Sequence, residues 1–246
     1  MNMFGMPKHF FFDLDNTLPR SKSHIEQAHM KILVQLTERA DVVVVSGHDE
    51  GSIHRHLGPE LIGRYYILSQ NGNHAEDPTG RILWERKLSP EQVAATHAFI
   101  AKVRERFPFP IKDPNDIIED RGCEVAFSLI GHHEDIRKKE AFDPDSSRRK
   151  KILDQMRSDV AELEAQNIEV RIGGTTVFDF MEKGKNKGFN VRAFMEHMGW
   201  RDEDAVYVGD ALFPGGNDET VIGIIPTKAV KDYKETFAYL SELLAK

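Results

Sequence analysis

The run Phe10-Phe11-Phe12-Asp13-Leu14-Asp15-Asn16-Thr17-Leu18 passes from continuous apolar residues to two carboxylates at i and i+2. A buried strand that stops at a polar edge has this texture, and a period-two strand puts Asp13 and Asp15 on one side. Two neighbouring anions repel and call for a cation between them. Hard oxygen donors at a strand end suit Mg²⁺, which keeps several waters and commonly takes a substrate phosphate. The chemistry that fits is metal-assisted phosphoryl transfer, with one carboxylate available as a nucleophile. Three further features fall at strand ends or helix starts. Ser46 follows Asp41-Val42-Val43-Val44-Val45. Lys187 sits near a helix start. Asp210 closes Ala205-Val206-Tyr207-Val208-Gly209, with Gly215-Gly216-Asn217-Asp218 just beyond. Taken singly, each has an ordinary explanation as a cap, a turn, a solvated lysine or a loop. Their joint occurrence, in order, gives them weight.

The surrounding segments must place these residues. Residues 9–14 read as a strand. Between Ser23 and Ala40, Ile25, Ala28, Ile32, Leu33 and Leu36 follow helical spacing. The β-branched run 41–45 suits a strand buried on both faces of a parallel sheet. A short helix over 51–57 and a third strand over 65–68 follow. Strand–helix–strand alternation predicts an α/β fold, a Rossmann-like doubly wound parallel sheet with function at the carboxyl ends of its strands.

The texture changes at Asn71-Gly72-Asn73. Two strand-like runs flank the turn Asp77-Pro78-Thr79-Gly80. Ser89-Pro90-Glu91-Gln92 carries helix-start signals, for a helix reaching about Phe107. Residues 117–130 read as a β pair or one bent strand. Asp143-Pro144 opens a long charged helix to about Ala165, and 168–172 with 175–180 form a hairpin on Gly173-Gly174. This α+β stretch predicts an inserted domain over 74–177, with 1–73 and 178–246 as the core domain. The α/β texture returns with a helix over 187–198, strands over 205–210 and 222–225, and a closing helix over 233–244.

The 246 residues suffice for one large or two modest domains. With 30% charged residues and a net charge of −7, a nucleic-acid footprint is not expected. One cysteine, Cys123, forms no intrachain disulfide, fits a reducing compartment and is expected to pack as a small hydrophobe. Apolar runs are strand-sized, so no membrane span is expected, and the first residues lack a signal-peptide layout. A cytoplasmic protein is the expectation. Arg148-Arg149-Lys150-Lys151 reads as a solvated face, and His132-His133-Glu134-Asp135 as a solvated loop rather than a metal site.

Asp13-Leu14-Asp15-Asn16-Thr17, Ser46, Lys187 and Gly209-Asp210 through Gly216-Asn217-Asp218 resemble the four motifs of the haloacid dehalogenase (HAD) superfamily of phosphotransferases. An α+β insert between the second and third motifs resembles the class IIB cap. The loop Gly209–Asp218, with Gly173-Gly174, Phe178-Asp179 and Asn71-Gly72, is similar to that of the eukaryotic-type phosphomannomutases. The resemblance implies Asp13 as nucleophile and Asp15 as general acid and then base. Ser46 and Lys187 would hold phosphoryl oxygens. Mg²⁺ would be the cofactor, held by Asp13, the Asp15 carbonyl and Asp210, with Asp218 acting through water. Among Lys183, Lys185 and Lys187, the family's spacing after a glycine favours Lys187, with Lys185 as the alternative. Gly47, Asn71 and Asn217 would contact substrate.

In the insert, the segment Arg121–Ser128 resembles a cap strand whose arginine contacts substrate in phosphomannomutases. Ser128 and Asp179 are assigned to substrate with it. Arg121 has an equal alternative as the partner of Glu119 or Asp120. Two departures matter. Ile130-Gly131-His132 stands where the mutases carry Ile-Gly-Arg, and Val177 replaces a serine. A mutase must hold a bisphosphate, so losing a cationic anchor ranks phosphatase above mutase. The expected ligand is a small phosphorylated metabolite, neither nucleic acid nor membrane. Relatives pair through their caps, so a homodimer through the cap is an expectation. A non-catalytic binding protein on the same fold is the third alternative.

Overall fold

The computed structural model describes residues 6–20 and 23–245. Along the chain the elements are β1 (His9–Asp13), α1 (Gln27–Thr37), β2 (Asp41–Val45), α2 (Glu50–Leu57), β3 (Tyr66–Ser69), β4 (His74–Glu76), β5 (Ile82–Glu85), α3 (Pro90–Arg106), β6 (Ile118–Asp120), β7 (Glu124–Ser128), α4 (Ile136–Phe142), α5 (Ser147–Gln155), α6 (Arg157–Ala165), β8 (Ile168–Gly173), β9 (Val177–Glu182), α7 (Lys187–Met198), β10 (Ala205–Gly209), β11 (Thr227–Ala229) and α8 (Tyr233–Leu244). They form two units. Residues up to Glu85 and from Lys185 onward make the first, and Arg86–Gly184 make the second.

The first unit is built on a seven-stranded sheet of order β11-β10-β1-β2-β3-β4-β5. From β11 to β3 all neighbours are parallel, and β4 and β5 add antiparallel at one edge. Alternation along the central strands supplies both faces. Phe10, Phe12, Val42 and Val44 pack with Leu33 and Leu36 of α1, Ile53 of α2 and Phe237 of α8. Phe11, Val43, Val45 and Tyr207 pack with Val191, Phe194 and Met195 of α7. Helices therefore cover both faces, which explains why these strands are apolar throughout. The spatial order reverses at β1, with β2 on one side and β10 on the other. Such a switch point opens a crevice beyond the carboxyl ends of the strands, and those ends carry Asp13, Ser46 and Asp210.

The second unit holds a four-stranded antiparallel sheet, β6-β7-β9-β8. One face buries Val125, Phe127, Phe178 and Phe180 against Phe99, Ile100 and Val103 of α3, Ile152 of α5 and Leu163 of α6. Cys123 is buried, as its apolar character predicts. α3 begins with a complete capping box between Ser89 and Gln92.

The unit boundaries differ from those read in the sequence, 73/74 and 177/178. The turn at Asp77-Pro78-Thr79-Gly80 folds β5 onto β4, and β4 pairs with β3. The change of texture after Asn71 is thus a reversal of direction within the core sheet. At the other border, β9 lies between β7 and β8, with Phe178 and Phe180 in the insert's own core. Two further differences have local causes. The long charged helix divides at Met156, whose φ of −103° and ψ of 19° end one helix before the next starts. The segment 222–225 makes only an isolated bridge, because Gly223 turns the chain at φ +83°, and the edge strand is the polar β11 instead.

Arg149 is also not part of a solvated face. It is 1% exposed, pairs with Asp143 at 2.6 Å, and donates to the carbonyls of Gly173, Gly174 and Val177. It therefore ties the start of α5 to the β8–β9 turn. Arg149→Ala would leave Asp143 as an unpaired buried charge, which costs about 3–5 kcal/mol. Urea unfolding followed by far-UV circular dichroism should register that loss. The fluorescence of Trp84 and Trp200, both in the first unit, should move less.

Candidate active site

Asp13 ends β1 and is buried. Because the strand stops there, strand period does not place Asp15, which lies in the turn closed by the Thr17 and Leu18 N–H groups on the Leu14 carbonyl. Asn16 takes the left-handed conformation in that turn, at φ 57°, and its side chain hydrogen-bonds Asp210. The Thr17 hydroxyl accepts from the Asp210 N–H at 3.1 Å. Two contacts thus lock the end of β1 to the end of β10.

Lys187 is the first residue of α7, whose N-cap Asn186 accepts from the Phe189 N–H. Its Nζ is buried and donates to Asp13 Oδ1 at 2.5 Å and to Asp218 Oδ1 at 2.8 Å. Lys185 Nζ instead lies 3.9 Å from the centre of the Phe189 ring, so Lys187 is the lysine that reaches the carboxylates. Asp218 is held from three directions, by Lys187, by the Tyr207 hydroxyl at 2.7 Å and by the Ala211 N–H at 3.4 Å. The loop closes tightly enough to require glycine twice. A Cβ on Gly209 would come within 2.4 Å of Asp218 Oδ2, and one on Gly216 within 2.0 Å of the Ala211 carbonyl oxygen.

Asp13, Asp210 and Asp218 each offer a carboxylate oxygen, all within 4.8 Å of one another. Burial pushes the Asp13 carboxyl well above its ordinary range. Lys187 works against that shift, and Asp218 and Asp210 add to it. Burial and Asp218 push Asp210 up to about 6. Lys187 loses hydration on burial, but Asp13 and Asp218 outweigh that loss and push its ammonium up.

Ser46, past the end of β2, is buried, and its hydroxyl accepts from the His48 N–H at 3.2 Å. Its carbonyl accepts from the Asn71 N–H at 2.8 Å. Gly47 lies beside Asn71, whose amide nitrogen would be 3.6 Å from a Cβ there. Asn71 has φ 58°. Asn190 of α7 fixes this corner by donating to the Asn71 carbonyl at 2.9 Å and to Asn73 Oδ1 at 3.1 Å. Asn217 is exposed beside Asp218.

Arg121, Ser128 and Asp179 lie in the second unit. Ser128 shares a hydrogen bond with Thr176 and accepts from the Gly131 N–H. Asp179 pairs across the sheet with Ala126 and Arg171. Arg121 donates to Glu119 and to the fully buried Glu124 at 3.0 Å. Burial opposes its charge, but Glu124, Asp179 and Glu119 overcome that and hold the guanidinium above its ordinary value. Glu119 and Glu124 are thus among its partners, while Asp120 accepts from the Gly122 N–H.

The sequence profile of the haloacid dehalogenase-like hydrolases matches residues 10–220. The chain belongs to this family. It is similar to phosphomannomutase 2 of Dictyostelium discoideum, with 24% identity over 243 residues, 96% of each chain. The phosphomannomutase of Encephalitozoon cuniculi is 25% identical over 218 residues, 85% of this chain and 82% of that one. Among solved structures, IMP-bound IMP-nucleotidase of Plasmodium falciparum superposes with a TM-score of 0.68 at 12% identity, covering 98% of this chain and 69% of that chain. A haloacid dehalogenase-like hydrolase of Bacteroides thetaiotaomicron gives 0.68 at 15% identity, covering 96% and 99%. These structural likenesses establish the fold.

In this haloacid dehalogenase-like hydrolase, the residues fit a divalent cation. Asp13 Oδ2 is buried with no hydrogen-bond partner among the described residues. If all three carboxylates ionise, the one ammonium leaves two negative charges, which a divalent cation would balance. The raised carboxyls carry a consequence for pH. Between the ordinary carboxylate value of 3.8 and about 6, the folded protein holds the Asp210 proton more tightly than the unfolded chain. That contribution to stability is present at low pH and is lost as pH rises through about 6. A cation competes with the proton, so the rise in melting temperature on adding millimolar Mg²⁺ after chelation should grow from about pH 5 to about pH 7. Thermal melts across that range would check this.

His48 and Asn190 join the site without being marked by the sequence motifs. For His48 the signal was available: a titratable residue two positions after a strand-end serine. Asn190 had none, since Asn71 and Asn73, which it joins to α7, lie more than 100 positions away in the chain.

Proposed function

We propose that this haloacid dehalogenase-like hydrolase is a Mg²⁺-dependent phosphatase of small phosphorylated metabolites, sugar phosphates first among them, acting through an aspartyl-phosphate on Asp13. One observation carries this proposal. A buried carboxylate at a strand end, with one oxygen on a buried lysine and the other without a hydrogen-bond partner among the described residues, stands within 4.8 Å of two more carboxylates.

Asp13 attacks phosphorus; the bond to the leaving oxygen breaks as the bond to the carboxylate forms. Asp15 gives its proton to the leaving oxygen. Water then attacks the phosphoryl group, Asp15 takes up its proton, and phosphate leaves with Asp13 regenerated. Lys187 and the Ser46 hydroxyl hold phosphoryl oxygens, with Gly47 and Asn71 beside them. Asp13, the Asp15 carbonyl and Asp210 would hold Mg²⁺. Asp218, already engaged by Lys187 and Tyr207, would act on it at second hand. The ion, when bound, supplies positive charge against the phosphoryl oxygens.

The likeness to phosphomannomutases over nearly the whole chain favours a second reading, a phosphohexomutase. Against it stands the supply of cations for a second phosphate. The His132 side chain is 8% exposed and its imidazole is pushed below its ordinary value, chiefly by desolvation, which makes it a weaker cation than an arginine. Arg121 is engaged by Glu119 and Glu124.

The test is phosphate release from glucose and mannose 1- and 6-phosphates and from IMP, with Mg²⁺ and with chelator. Steady multiple-turnover release that chelation removes is expected. Slow release, with hexose phosphate interconversion stimulated by a bisphosphate, would favour the mutase. If no phosphoester is turned over, a binding protein is the better account.

A further inference from the structure

His48 is not a member of the carboxylate cluster Asp13, Asp210 and Asp218, yet it is joined to two of the residues assigned to chemistry. Its Nε2 lies 2.8 Å from Asp15 Oδ2. Its backbone N–H donates to the Ser46 hydroxyl at 3.2 Å. We propose that His48 is a positioning residue for Asp15, holding that carboxyl where it can protonate the leaving oxygen. This rests on the role given above to Asp15, which the phosphatase and mutase readings share.

The backbone of His48 is fixed on both sides. Its carbonyl accepts from the Gln70 N–H at 3.0 Å. The next residue, Asp49, caps α2 by accepting from the Ser52 N–H at 2.6 Å. The imidazole lies against His56, with ring centres 5.4 Å apart and an interplanar angle of 33°. His56 is itself tethered to the Ser52 carbonyl at 2.7 Å. Asp15 differs. It lies beyond the strand end, in a turn, with its side chain 35% exposed. The hydrogen bond to an anchored ring favours the one rotamer of that carboxyl that meets His48 Nε2.

The alternative is a surface ion pair with a small share in stability. With side chains 29% and 35% exposed, the His48–Asp15 pair contributes little to folding. The same hydrogen bond can weigh heavily in catalysis, because a misplacement of about 1 Å costs roughly a hundredfold in rate.

Leaving-group dependence separates positioning from structure. A sugar alkoxide must be protonated as it departs, whereas 4-nitrophenolate leaves without help. kcat/KM covers the steps through departure of the leaving group, so later hydrolysis of the aspartyl-phosphate does not enter. His48→Ala should lower kcat/KM roughly tenfold to a hundredfold on the fastest sugar phosphate of the panel above. On 4-nitrophenyl phosphate the loss should stay within about twofold, a change too small to signal lost positioning. His48→Gln, which can offer an amide N–H from a similar reach, should recover much of the difference. Asp15→Asn is the reference and should show the same selectivity, more strongly. If Asp15→Asn is selective and His48→Ala is not, or both substrates fall equally in a folded His48→Ala protein, the inference about His48 is overturned and the role of Asp15 stands. If Asp15→Asn shows no selectivity, both fall together.

Discussion

Asp13→Asn should abolish phosphate release, by at least about 10⁴-fold, the scale of losing the nucleophile in a covalent mechanism. Asparagine keeps the shape of the side chain and can still accept from Lys187 Nζ, which also retains Asp218. The fold should therefore survive. The raised carboxyl of Asp13 means that its ionised form is disfavoured by burial and by Asp218. A neutral amide removes that conflict, so near pH 7 the chelated variant should melt no lower than the chelated wild type. It should also gain less from Mg²⁺, having lost one of three clustered carboxylates. Phosphate release with melting curves in both conditions checks all three expectations. Turnover at the wild-type rate in a folded Asp13→Asn protein would exclude the aspartyl-phosphate and with it both enzyme readings.

Much of the architecture was legible because it is written in local periodicity. The triple Phe of β1 and the Val run of β2 read directly as doubly covered parallel strands. The closing helix Tyr233–Leu244 was placed to the residue. The carboxylates and Lys187 were legible because strand ends and helix starts are marked by abrupt changes of residue type. What escaped was whatever depends on partners remote in sequence. β4 and β5 look foreign to an α/β domain until β3 is seen to pair with β4. Arg149 looks solvated amid three other basic residues, because nothing local shows that the Gly173-Gly174 turn comes to meet it. β11 is a short polar edge strand with no apolar pattern. The Asp15–His48 contact spans 33 positions and depends on the β1 and β2 ends lying side by side.

Lys187→Met should lower kcat by about a hundredfold or more, the scale of removing one donor aimed at developing phosphoryl charge. The effect on the fold should be comparably severe, because the ammonium is the buried cation that Asp13 and Asp218 share. Removing one partner of a buried ion pair costs about 3–5 kcal/mol, chiefly through the charge left behind. The carboxyls can answer by binding protons. Without Lys187, the Asp13 carboxyl, already raised, loses the influence that lowers it. The stability deficit against wild type should therefore be small where the cluster is protonated, near pH 5 or below, and grow as pH rises toward 7. Mg²⁺ supplies the missing positive charge and should narrow the deficit without restoring turnover, since the donor to the phosphoryl oxygens stays absent. Lys185→Met is the matched control. Its ammonium lies over the Phe189 ring rather than on a carboxylate, so its melting temperature should follow wild type across the same pH range. Should Lys185→Met carry the larger loss of turnover, the assignment of the phosphoryl-holding lysine would pass to Lys185, and the contact between Lys187 and Asp13 would be a structural tie alone.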